Sequence, residues 1–125
     1  MLGYKEATHQ STRPFHYHQA TTEVYTMPKF VKGLWEAEAV EVLRSYQTVV
    51  AFKLNGTVYR DKMKYSQTTT RQTNRYIKET VPSYDYVIEV DHDTFKTLLN
   101  NMGINIIKWG VISWRKKPCK TSLKN

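Results

Sequence analysis

Asn55-Gly56 stands between two alternating apolar runs, and few dipeptides constrain a chain more tightly. A two-residue type I′ turn needs positive φ at both central positions, which Asn and Gly supply at little cost. The turn then dictates the pairing: Leu54 with Thr57, Phe52 with Tyr59, Val50 with Asp61, Thr48 with Met63 and Tyr46 with Tyr65. That face is mostly apolar and is expected to meet the core. The opposite face carries Gln47, Val49, Ala51 and Lys53 beside Val58, Arg60, Lys62 and Lys64. A slip of one residue would exchange the two faces, so the pattern guards its own register.

The segments around the hairpin complete a small domain. Ser66 is placed to cap a helix that ends at Val81-Pro82, because a residue before proline avoids the helical region. Threonines lower the propensity of that helix, and Arg71, Arg75 and Lys78 fall on one stripe of it. Ser83 to Asp91 alternates Tyr84, Tyr86, Ile88 and Val90 with Asp85, Glu89 and Asp91, which predicts a strand. Asp93 is expected to cap a short helix with Phe95, Leu98, Leu99 and Met102 on one face and Gly103 at its αL end. Ile104 to Trp114 predicts one or two final strands with a break at Gly110. Trp35 to Arg44 mixes helix-forming Glu and Ala with Val40 and Val42, and predicts a helical turn leading into a long strand.

Residues 1 to 30 show no clear period and are expected to form a partly ordered N-terminal arm. The fold class that follows is α+β: a single small domain, β-β-α-β-α-β, with a mixed or antiparallel sheet and two short helices. The domain is expected over 31–117 and a basic tail over 118–125. A chain of 125 residues with 40% hydrophobic residues has material for one modest core. No apolar run approaches the roughly 20 residues of a membrane span, so no membrane role is expected. Cys119 is the one cysteine and cannot form an intrachain disulfide, which fits a reducing cytoplasm.

Catalytic constellations with specific spacing are missing from the sequence, so the expectation is a protein that is not an enzyme. There is no Gly-rich phosphate loop, no C-x-x-C and no H-E-x-x-H. His16-x-His18 suits a metal on one side of a strand, but no third ligand lies nearby and a zinc site needs three or four. Neither a metal nor a cofactor is therefore expected. His92, between Asp91 and Asp93, reads as a loop residue.

Charge is the stronger signal. Nineteen Lys+Arg against eleven Asp+Glu give +8, which favours acidic partners or nucleic acid. Arg60, Lys62 and Lys64 alternate on one strand face, Lys78 follows on the helix, and Arg115, Lys116 and Lys117 lie in a stretch without acids. Such rows match phosphate oxygens and release counterions, so these seven residues are the candidate nucleic-acid contacts. The competing reading is internal: Asp85, Glu89 and Asp91 form an acidic row that would neutralise the basic one if the strands are neighbours. Trp109 and Trp114 suit either base stacking or the core.

Ser45-Tyr46-Gln47-Thr48-Val49-Val50-Ala51 and Tyr65-Ser66-Gln67-Thr68-Thr69 carry a further signal. The chain here resembles a family of small proteins of phages and plasmids of Gram-positive bacteria, with the pattern S-Y-x-T-x-V-A, an N-G hairpin and then Y/W-S-x-T-T-x-x-x-N. The likeness covers about Ser45 to Tyr76. That family is a domain of unknown function, so it supplies no catalytic residue. It implies a mobile-element accessory protein that acts by binding in the cytoplasm of a bacterial host. One recurrent role of that kind is inhibiting a host CRISPR nuclease. The expected partner is then a host protein or ribonucleoprotein complex, a CRISPR effector among them, and the alternative is a basic protein that binds DNA or RNA. Tyr65, Ser66, Thr68, Thr69, Arg71, Gln72, Asn74 and Arg75 would supply the partner-binding platform. The competing reading gives Ser66 and the threonines only a capping role.

Overall fold

The computed structural model describes residues 7–15 and 17–107, with no side-chain description at 17 and 18. Nine elements follow one another: β1 (Thr8–Phe15), β2 (Tyr17–Val31), β3 (Leu34–Ser45), β4 (Thr48–Leu54), β5 (Thr57–Asp61), α1 (Gln67–Thr80), a 3-10 turn (Tyr84–Tyr86), β6 (Val87–Val90) and α2 (His92–Asn101). The six strands form one sheet in sequence order, antiparallel as far as β5 and parallel between β5 and β6. A parallel pair needs a crossover between its strands, and α1 supplies it. The class is therefore α+β with a mixed sheet and two helices.

Both faces of the sheet are covered. On one, Phe95 and Leu99 of α2 and Met102 just after it pack on Met27, Val40, Val42, Val49 and Phe52. On the other, Tyr76 and Ile77 of α1 pack on Leu43, Val50, Ala51 and Val58. Covering two faces explains why alternation is lost over Val40–Ser45 of β3: neither face is free to be polar there, whereas Leu34–Ala39 is largely exposed. It also corrects the outer face expected for the hairpin. Ala51 and Val58 are fully buried beneath α1 instead of facing solvent.

The hairpin register holds near its turn, where Leu54 pairs Thr57 and Phe52 pairs Tyr59, with Asn55 and Gly56 both at positive φ. It fails further out. Tyr46, at φ 61, turns the chain between β3 and β4, so Thr48 pairs with Ser45 and not with Met63. A bulge between Leu43 and Arg44 sets Leu43 opposite Ala51 and Arg44 opposite Val49. The extra residue flips the alternation, placing Val49 on the α2 face and Val50 on the α1 face.

Three more expectations change. The arm over residues 1–30 is instead, where described, β1 and β2, rich in the Thr, Tyr and Val that suit a pleated surface. Pro14 lies in the outermost strand, where a missing N–H is tolerated. WEAEAVEVLR is strand throughout, because Lys32 (φ 52) and Gly33 (φ 82) turn β2 back onto it, and a full register of partners outweighs Glu and Ala propensity. The strand expected over Ser83–Asp91 is shortened to Val87–Val90 by the 3-10 turn that Ser83 caps. α2 is capped by Asp91, whose side chain accepts from the Thr94 N–H, and not by Asp93, while Gly103 takes the positive φ expected of it. Trp109, Trp114 and the tail lie outside the described residues.

Candidate functional site

α1 begins where the sequence said it would. The Ser66 hydroxyl accepts from the Thr69 N–H and Val81 closes the other end. Removing the cap with Ser66→Ala is expected to cost about 1 kcal/mol, checked by urea denaturation. A cost below a few tenths would mean the first turn is held by its packing alone. The helix then divides its side chains. Thr69, Gln72, Thr73, Tyr76 and Ile77 turn inward, and Thr68, Arg71, Asn74, Arg75 and Lys78 stay at the surface.

This division narrows the platform. Thr69 bonds the Ser45 hydroxyl at 2.8 Å, tying α1 to the end of β3. Gln72 is fully buried, and its amide bonds no other described group. Tyr65 is half-buried and donates to Asp61. Tyr76, beneath the helix, donates to Glu41 at 2.6 Å, and burial followed by that bond raises its phenol pKa.

The outward stripe is cationic. Arg75 is paired with Glu79 at 2.7 Å across one helical turn. Arg71 and Lys78 are exposed and form no ion pair with a described acid, and the same holds for Lys64 in the segment that enters α1, while Lys62 lies near Asp91. Arg60 reaches the stripe from β5: one guanidinium nitrogen donates to Asn74 Oδ1 and to the Tyr84 hydroxyl, both at 3.1 Å. The acidic neighbour expected for the basic row exists, since Arg60 sits opposite Glu89 in the parallel β5–β6 register. Tyr84 bridges the two, with its hydroxyl 3.4 Å from Glu89. Neutralisation is local to Arg60 and leaves the helix cations open. Between α1 and the 3-10 turn lies a shallow cleft of about 310 Å³, with Ile77, Val81 and Pro82 as its apolar lining and Asn74, Lys78 and Tyr84 at its rim. Arg115, Lys116 and Lys117 lie outside the described residues.

A second polar cluster closes the far end of β5. The Asp61 side chain is fully buried and accepts from the Met63 N–H at 2.9 Å, the Tyr65 hydroxyl at 2.8 Å and His92 Nδ1 at 2.7 Å. His92 is thus the first residue of α2 rather than a loop residue, and the carboxylate orients its ring. Burial, then the bond to Asp61, raises the Tyr65 pKa. Nearby, the Thr94 N–H and hydroxyl hold the exposed Asp91 carboxyl below its usual range, with Lys62 adding to the effect. An oriented imidazole is half of a proton-transfer pair. No hydroxyl or thiol bonds His92 among the described residues, so the cluster reads as a joint between β5, the α1 entry and α2. Sequence reasoning missed it because Asp61 and His92 are 31 residues apart.

The described residues also hold no group of three His, Cys, Asp or Glu placed to bind a metal. The imidazoles of His16 and His18 lie outside the described side chains. No helix among the described residues is long and apolar enough to cross a membrane. Residues 9–91 match a family of unknown function (DUF8033), a span that takes in the sheet, α1 and the Asp91 cap and stops where α2 begins. Neither the curated proteins nor the solved structures include a match to the chain.

Proposed function

The chain belongs to that family of unknown function, so its activity is argued from its own surface, and we propose a non-enzymatic protein that binds the phosphate backbone of a nucleic acid. The carrying observation is the outward stripe of α1, where Arg71 and Lys78, on either side of Asn74, form no ion pair with a described acid. Lys62 and Lys64 extend the positive charge to the start of the helix. The polar, uncharged Asn74 and the exposed Tyr84 ring supply hydrogen bonds and a stacking face beside the phosphate contacts. In this reading the protein is an accessory factor of a phage or plasmid, working in the cytoplasm of a bacterial host.

The test is fluorescence anisotropy with single- and double-stranded oligonucleotides across a salt series. Affinity should fall steeply with salt, with a slope of about 0.9 per phosphate neutralised on duplex DNA. The pair Arg71→Glu and Lys78→Glu should weaken binding more than tenfold and reduce that slope by about two. Both side chains are exposed, so the melting temperature should barely move. Absence of binding at low salt would dismiss the reading.

A second reading is favoured by the cleft beside the stripe. Its apolar lining, with the exposed Tyr84 at its rim, suits a protein surface as well as a base. In that case the protein is an inhibitor of a host CRISPR nuclease and covers part of the effector complex. Unchanged cleavage by candidate host effectors in the presence of excess protein counts against it.

A further inference from the structure

β2 and β3 outrun the rest of the sheet. Pairing between β1 and β2 stops at Thr8↔Thr26, and pairing between β4 and β3 stops at Val40↔Leu54. Past those points, among the described residues, Met27–Val31 and Leu34–Ala39 pair only with each other, as a ribbon closed by Lys32-Gly33. A two-stranded ribbon is marginal in water by itself. This one is clasped by Phe30 against Trp35, with centroids 5.2 Å apart, and by Lys29 to Glu38 at 3.3 Å. Leu34 is 67% exposed and Trp35 51%, a large outlay of apolar surface for a solvated tip.

The outer edge of β3 along this ribbon is a strand position in line with β4. A cleft of about 510 Å³ lies there, lined by Lys29, by Glu36, Ala37, Glu38 and Ala39 in succession, and by Asn55 of the β4–β5 turn. Four consecutive residues of one strand line it, so an occupant meets the main-chain edge as well as side chains. Pocket and edge coincide.

The side chains select the occupant. Ala37 and Ala39 leave room for bulky neighbours on one face. Glu36 and Glu38 point to the other, roughly 7 Å apart along the strand. Lys29 stands opposite Glu36 in the β2–β3 register but bridges to Glu38, so its one charge faces both carboxylates. A second copy of this edge fits poorly. Antiparallel self-pairing centred on Ala37 would set Glu36 against Glu38 twice, and like charges directly opposite are destabilising. The same glutamates favour a strand with Lys or Arg at alternate positions.

We infer that the outer edge of β3 over Leu34–Ala39, which no described strand pairs, is a docking edge for an extended basic segment of another protein, added as a further strand. Main-chain hydrogen bonds supply the affinity and the two glutamates supply the choice. The surface is separate from the α1 stripe and has the opposite charge preference, so either can fail without the other.

The probe is a short fluorescent peptide alternating Lys and Val, titrated against the full chain in about 0.1 M salt, where long-range charge is screened. The chain carries +8 overall and repels a cationic peptide in general, so saturable binding must be local. Binding is expected, and Glu36→Lys should weaken it about tenfold with no change in melting temperature. A peptide N-methylated along its backbone, which cannot pair as a strand, should not bind. Lack of saturable binding, equal binding of a Glu/Val peptide, or indifference to N-methylation or to Glu36→Lys would each overturn the inference.

Discussion

Replacing Arg44 by alanine is expected to remove about 3–5 kcal/mol of stability, the range seen when one partner of a buried ion pair is deleted. Arg44 is 3% exposed and its partner Glu23 is 1% exposed, with Nε 2.6 Å from Oε1. The same guanidinium spans the sheet and the chain beyond α2. It donates to the Gln47 carbonyl at 3.0 Å, the Asn105 carbonyl at 3.0 Å and the Ile106 carbonyl at 3.3 Å. Deleting it removes the guanidinium from a buried carboxylate that the Tyr25 hydroxyl also bonds at 2.8 Å, and takes a donor from three carbonyls. The segment it holds lies against β4, where the Val49 N–H donates to Ile106. Urea denaturation measures the loss, and faster hydrogen exchange at the Val49 amide would locate it. The double replacement Arg44→Met with Glu23→Leu should recover most of the stability, because desolvation of two charges consumes much of what their attraction supplies. A loss under about 1 kcal/mol for Arg44→Ala would mean that water reaches the pair.

That clamp also shows where sequence reading stops. The Asn55-Gly56 turn, the Ser66 cap, the Val81 stop and the amphipathic α2 were legible because each is written in neighbouring residues. β2 and the first half of β3 were not: residues 17–31 carry no clean period, and the Glu and Ala of Leu34–Ala39 favour helix until pairing with β2 overrides them. Glu23 and Arg44 occupy core positions that a polarity pattern assigns to the surface. The Leu43–Arg44 bulge inverted the faces of Val49 and Val50 with no Gly or Pro to announce it. In the candidate site, helical spacing alone put Arg71, Arg75 and Lys78 on one outward stripe of α1, and all three are exposed there, though Arg75 is paired with Glu79. The Arg60–Asn74–Tyr84 contacts and the Asp61–His92 pair needed the parallel β5–β6 register, a long-range fact that local spacing does not contain.

The other large effect is expected at Phe52, which joins the sheet to α2. Its ring is 2% exposed, stacked on Tyr59 at 5.0 Å and tilted against Phe95 at 5.5 Å. Phe52→Ala removes the aromatic area that α2 rests on and should cost about 3–5 kcal/mol, as large-to-small core changes do. The low end of that range is expected. A small cleft of about 160 Å³ lined by Phe52, Leu54, Tyr59, Leu98, Asn101 and Met102 already opens beside the ring, so water and neighbours can fill part of the space. Phe52→Leu, which keeps most of the volume, should cost less than about 1.5 kcal/mol. Domains of this size are stable by about 5–15 kcal/mol, so the alanine variant should sit near the threshold of folding. The experiment also separates two views of α2, which begins where the family match ends. Hydrogen exchange at the Phe95 and Leu99 amides should speed up together with global unfolding if α2 is part of the cooperative core. Exchange there that runs ahead of β4 and β5 would make α2 an independent unit docked on a finished sheet.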